Sequence, residues 1–189
     1  MSQATITTEY QDLCRCVEGF NRELPRIAET ATLLVDRFKQ GKTLYACGNG
    51  GSATDAMHLC EELIGRYRGD RSPLPAVCVN ADTSALTCIG NDYGFETIFS
   101  RQIKALGKPG DLLVGFSTSG NSENVRQAFT TASQNGLTTI LLTGKTGGKI
   151  KTIADYVISV PSANTARIQE LHTFILHAWL EHIENQAWL

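Results

Sequence analysis

Residues 43–47 (TLYAC) and 111–116 (DLLVGF) are short apolar runs, and each stops at a loop of small residues that opens a helical pattern. The same rhythm continues along the chain. Residues 53–67 and 121–134 carry helical spacing, while residues 76–79 (AVCV), 138–142 (TTILL) and 156–160 (YVISV) supply three further strands. Strands alternating with helices specify an α/β fold, here a five-stranded parallel sheet between two helical layers, an α/β/α sandwich. Ahead of the first strand, residues 9–39 place Leu13, Val17, Phe20, Leu24, Ile27, Ala31, Leu34 and Phe38 three and four apart. Pro25 predicts a break there into two helices, whose apolar side needs cover from the sheet or from another subunit. Residues 84–105 are expected to hold one or two short helices around a turn at Gly90-Asn91-Asp92, and residues 165–184 a long closing helix. No repeat or linker divides the 189 residues, which read as one domain with a helical extension over residues 1–40.

Charge excludes some partners. Seventeen basic against 19 acidic residues leave a formal net charge of -2, with no electrostatic case for nucleic acid or an anionic membrane. No run approaches the ~18 apolar residues of a membrane span. The N-terminus also lacks the basic-then-apolar order of a signal peptide, so a cytoplasmic location is expected. Six cysteines without a CxxC pair read as reduced, buried thiols, with Cys47, Cys78 and Cys88 in or beside apolar segments.

Ligands of open parallel sheets bind outside the carboxyl ends of the strands. Two loops there stand out, Gly48-Asn49-Gly50-Gly51-Ser52 and Ser117-Thr118-Ser119-Gly120-Asn121-Ser122. Each presents free backbone N–H groups at the positive end of a helix, and the hydroxyls add donors without adding charge. Either loop alone reads equally well as a tight turn with a helix cap. Two on one sheet edge point to an anion such as a phosphate monoester. Gly48-x-Gly50-x-x-Ala53 imitates a dinucleotide fingerprint, but the serine loop is surplus to such a site, and no nucleotide cofactor is expected. The GKT strings at Gly41 and Gly144 lack the upstream glycine of a phosphate-binding P-loop.

The chemistry-bearing residues sit on two helices. His58 and Glu62 are four apart on the helix after the first loop, and so share a face. An imidazole and a carboxylate beside a bound sugar phosphate can move protons between adjacent carbons, or hold a divalent metal. A plain surface pair has the same spacing. The closing helix carries Gln169, His172, His177 and His182; spacing turns His182 away from Gln169 and leaves His172 and His177 both open.

The strings CGNGGSATDAMHLCEELIGRY, IGNDYGF, GDLLVGFSTSGNSENV, LTGKTGGK and RIQELHTFILH together resemble the phosphoheptose isomerase family of sugar isomerase (SIS) domain proteins, over effectively the whole chain. The resemblance implies a flavodoxin-like SIS fold and interconversion of sedoheptulose 7-phosphate with D-glycero-D-manno-heptose 7-phosphate through an enediol. It makes Glu62 the general base and His177 the general acid. Substrate contacts would fall to Asn49, Gly50, Gly51, Ser52, Asn91, Asp92 and Gln169, with Ser117, Thr118, Ser119 and Ser122 on the phosphate. Zinc, one per subunit, would be held by His58, Glu62, Gln169 and His177. The family forms homotetramers with active sites at subunit contacts. Some members carry an acidic residue three positions before the glutamine, where this chain has Ala166. The alternatives are a non-catalytic SIS protein that binds a replication initiator or senses a phosphosugar, and an isomerase of another sugar phosphate. Relatives of the non-catalytic kind lose the acid–base pair that Glu62 and His177 supply here.

Overall fold

The structure is a computed structural model that describes residues 2–188. Its strands are β1 (Leu44–Gly48), β2 (Ala76–Cys78), β3 (Leu112–Ser117), β4 (Thr138–Thr143) and β5 (Tyr156–Ser159). They form one sheet in the order β2-β1-β3-β4-β5, and every neighbouring pair is parallel. This is the doubly wound order in which the chain turns outward in opposite directions from β1 and β3, opening a crevice at their carboxyl ends. Gly48 lies opposite Phe116 in the β1/β3 ladder. The glycine loop and the serine loop therefore leave adjacent strands at the same edge.

The helices are α1 (Gln3–Gly19), α2 (Leu24–Lys39), α3 (Gly51–Ile64), α4 (Thr83–Tyr93), α5 (Ser100–Leu106), α6 (Glu123–Gln134) and α7 (Thr165–Glu184). Strand residues alternate between two cores. Leu44, Ala46, Leu112, Val114 and Phe116 face the apolar sides of α2, α3 and α7. Tyr45, Cys47 and Leu113 face Phe99, Ile103, Val125 and Phe129 from the α5/α6 side. That is the period-two pattern of a sheet covered on both faces.

Three expectations need correction. The break between the first helices is a 3-10 turn at Phe20–Glu23, and Pro25 lies in the first turn of α2. Its missing N–H is unpaired there in any helix, so the proline starts α2 and does not end α1. Gly90-Asn91-Asp92 is no turn: the segment lies inside α4, which stops only at Gly94, with φ +89. Cys88 is exposed, because α4 buries none of its side chains, whereas Cys16, Cys47 and Cys60 are buried.

Helix α7 is locked against α2 by Trp179, whose buried indole N–H donates to Thr30 Oγ1 at 3.0 Å. The same hydroxyl donates to the Arg26 carbonyl at 2.9 Å. Thr30→Val keeps the shape but strands the indole N–H, at a cost of about 1–3 kcal/mol. Thermal denaturation should register this as a fall of about 2–4 °C per kcal/mol, and an unchanged midpoint would show that the bond contributes nothing.

Candidate active site

The two loops are stitched together by amides. Asn80 accepts from the Gly48 N–H at 3.1 Å and donates to the Gly48 carbonyl at 2.8 Å, pinning the start of the glycine loop. Asn49 and Asn124 exchange reciprocal side-chain hydrogen bonds of 2.9 and 2.8 Å, joining that loop to the start of α6. The Asn49 amide is thus fixed in orientation, with its second N–H free to donate. Ser52 is buried beneath the loop. Within the serine loop, Ser117 Oγ donates to Ser122 Oγ at 3.2 Å, and Ser119 Oγ accepts from the Asn121 N–H at 3.1 Å, which leaves the Ser119 hydroxyl proton to donate elsewhere. Gly120 adopts φ +64 and presses on the backbone of Gly147 and Gly148, where a Cβ has no room. The serine loop thereby rests on the Gly144–Lys149 loop, and a cavity of about 220 Å³ opens between them and the start of α7. Thr118, Ser119, Asn121, Lys145 and Thr165 line it.

From these loops α3 and α7 run side by side, and their contacts form a ladder. Gly51 lies so close to the Gln169 amide that a Cβ would collide with it. One turn on, Thr173 donates to Asp55 Oδ1 at 3.2 Å. At the far end the Glu62 carboxylate sits between two imidazoles, with His58 Nε2 3.4 Å from Oε1 and His177 Nε2 4.0 Å from Oε2. The imidazole rings meet edge to face, 5.0 Å between centroids. Residues 51, 55, 58 and 62 on one helix and 169, 173 and 177 on the other follow helical spacing, which is why each set shares a face.

Electrostatics separates the two candidate histidines. His172 is fully buried beside Phe116, and burial pushes its pKa down to about 4 against the raising effect of the Thr143 backbone. It is neutral and sealed from solvent. His177 is partly exposed and faces Glu62. Glu62 Oε2 is buried and accepts no hydrogen bond. His58, Glu62 and His177 offer two imidazole nitrogens and a carboxylate oxygen, all within 4.8 Å of one another. That donor set and the unpaired oxygen fit a divalent ion such as zinc. The Gln169 amide lies instead over Gly51, two turns before His177.

Asn91 and Asp92 are exposed on α4 and hydrogen-bonded to each other at 2.7 Å; among the described residues no hydrogen bond ties them to either loop. Sequence reasoning missed Asp55, a buried carboxylate with Oδ2 unpaired. Burial raises its pKa, against the lowering effects of the Thr173 hydrogen bond and of His58. Its position three before His58 and seven before Glu62 was the available signal.

Comparison with known proteins bears on this arrangement. The SIS domain family model matches residues 10–144. A phosphoheptose isomerase of Trichlorobacter lovleyi is 47% identical over 184 residues, covering 97% of this chain and 94% of the relative. Among solved structures, the phosphoheptose isomerase of Neisseria gonorrhoeae superposes with a TM-score of 0.92 at 40% identity, covering 97% of this chain and 99% of the other. That of Francisella tularensis gives 0.95 at 34% identity, covering 98% and 100%.

Proposed function

The chain belongs to the phosphoheptose isomerases of the SIS-domain family, and from this premise we infer that it interconverts sedoheptulose 7-phosphate and D-glycero-D-manno-heptose 7-phosphate in heptose biosynthesis. The observation that carries the chemistry is the Glu62 carboxylate, held between His58 and His177 with one buried oxygen unpaired.

In this reading the phosphate binds the hydroxyls and N–H groups of Ser117, Thr118, Ser119 and Ser122, at the β1/β3 crevice and the α6 N-terminus. Eleven residues separate Gly51 from Glu62, about 16 Å along the axis, and helical side chains lean back toward the N-terminus. An extended seven-carbon phosphate spans what remains, past Asn49, Gly50, Gly51, Ser52 and the Gln169 amide. Asn91 and Asp92 contribute from α4. Glu62 removes a proton from C1 of the ketose to give the enediol and returns it at C2. His177 moves the proton between the two oxygens. His58, Glu62 and His177 are the residues that would hold zinc, with the Gln169 amide over Gly51 left to the substrate. Bound there, the ion would polarise the carbonyl and offset the charge developing on the oxygens.

The whole chain then acts as one SIS unit, with residues 1–40 as an oligomerisation extension. Ile6, Tyr10 and Val17 on α1 and Phe174 on α7 are exposed apolar side chains that a homotetramer would cover. No helix among the described residues is long and apolar enough to cross a membrane, and a phosphorylated substrate places the enzyme in the cytoplasm.

The direct test is NMR of purified protein mixed with sedoheptulose 7-phosphate. Appearance of the aldoheptose phosphate is expected; binding without conversion would refute the reading. Ser119→Ala should raise KM about tenfold, by loss of one donor to a charged group, with kcat less affected. Initial rates check this, and an unchanged KM would remove the serine loop from the site.

A further inference from the structure

The segment between α3 and β2 touches both members of the acid–base pair. The Tyr67 ring stacks on the His177 imidazole, 5.9 Å between centroids and 29° from parallel. The Arg68 guanidinium covers the tyrosine at 5.2 Å and lies 3.1 Å from Glu181 on α7. Four residues beyond Tyr67, Arg71 turns back to the end of α3. Its Nη2 donates to the Glu62 carbonyl at 2.6 Å, and its Nη1 donates to the Leu63 carbonyl at 2.8 Å. Its Nε lies 3.3 Å from Glu184 Oε2, in a pair whose side chains are only 5% and 15% exposed. The Gly69 N–H donates to the other Glu184 oxygen.

These contacts have a mechanical consequence. The last carbonyls of a helix have no partner within it, and its final turn frays unless something binds them. Here that turn carries Glu62, and the group that binds its carbonyls is anchored two turns past His177 on α7. A single short segment thus ties the ends of α3 and α7 together and stacks on the imidazole between them.

We propose that residues 67–71 are the positioning element of the acid–base pair: Tyr67 sets the plane of the His177 ring, and Arg71 sets the last turn of α3 and with it the Glu62 carboxylate. Neither is a catalytic residue, since each acts through another. The inference rests on the assignment of Glu62 and His177 made above. It assigns the role to the ring face of Tyr67, which makes the stack on His177, and leaves the hydroxyl to Arg68. Displacement of a catalytic group by an ångström costs on the order of a hundredfold, and the phosphate grip lies at the opposite end of α3. Loss of the element should therefore fall on kcat and spare KM.

The experiment compares Tyr67→Leu, Tyr67→Phe, Arg71→Met and Arg71→Lys in the full chain, with Glu62→Gln alongside. Initial rates with sedoheptulose 7-phosphate are read together with the NMR resonances of the His177 ring protons. Tyr67→Leu is expected to lower kcat by about ten- to a hundredfold, leave KM within about twofold, and shift the His177 signals as the ring current is lost. Tyr67→Phe should restore all three. Arg71→Met should lower kcat in the same way; if it does not fold, Arg71→Lys, which keeps one donor, should show a smaller loss. Wild-type kcat in folded Tyr67→Leu, or equal losses in Tyr67→Leu and Tyr67→Phe, would overturn the proposal. If Glu62→Gln is inactive while Tyr67→Leu is fully active, only the positioning role fails. If Glu62→Gln itself turns over, the assignment beneath it fails.

Discussion

Glu62→Gln is expected to lower kcat by about a thousandfold or more while the chain stays folded and binds substrate. The amide matches the carboxylate in shape and keeps an oxygen for the 3.4 Å approach to His58. It cannot accept a proton from carbon at neutral pH. Because Oε2 makes no hydrogen bond within the protein, its replacement breaks none, and thermal stability should stay close to wild type. Initial rates and a melting curve on one preparation check both halves. Activity within tenfold of wild type would deny Glu62 the role of base. Lost activity together with a lost fold would show that it is structural.

The second large effect is on stability in mild acid. His172 is buried between α7 and the sheet, against Phe116, with its folded pKa pushed from the ordinary 6.5 down to about 4. The unfolded chain takes up a proton on this residue as pH falls below about 6.5, and the folded chain does not until about 4. Stability is therefore intact above 6.5, declines through that window, and has lost on the order of 3 kcal/mol at its lower end. His172→Leu removes the titration at similar volume. Urea denaturation at pH 7 and pH 4.5 should show a larger drop for wild type than for the variant. Equal drops would mean that His172 is hydrated or paired in the folded protein.

Much of the fold is legible in the chain because its signals are local. Apolar runs such as TLYAC and DLLVGF, each ending in a small-residue loop, specify parallel strands with both loops at one edge; the strand order depends on long-range pairing and comes from the structure. Where local signals compete, the reading errs. Gly90-Asn91-Asp92 has turn composition, yet the helix begun at Thr83 carries through it. Pro25 reads as a breaker but serves as a helix start. The site is legible only as single residues on faces. Spacing aligns His58 with Glu62 but cannot say that His177, and not His172, lies opposite, because that depends on how α7 rotates against α3. Asn49 belongs to the ligand loop by sequence, while its side chain is oriented by Asn124, 75 positions away. Tyr67 and Arg71 carry no motif; their bearing on the pair emerges only once the chain after α3 folds back.

The central claim is that Glu62 carries a proton between two carbons of the sugar. It is tested most directly by running the isomerisation in D2O with wild type and Glu62→Gln and following the sugar by proton and deuterium NMR. Wild type should give aldoheptose phosphate, with deuterium at C2 and in re-formed ketose at C1 to the extent that the proton held on Glu62 exchanges with solvent, while Glu62→Gln gives neither product nor label. Aldose formed, or deuterium entering, equally well without the carboxylate would contradict it.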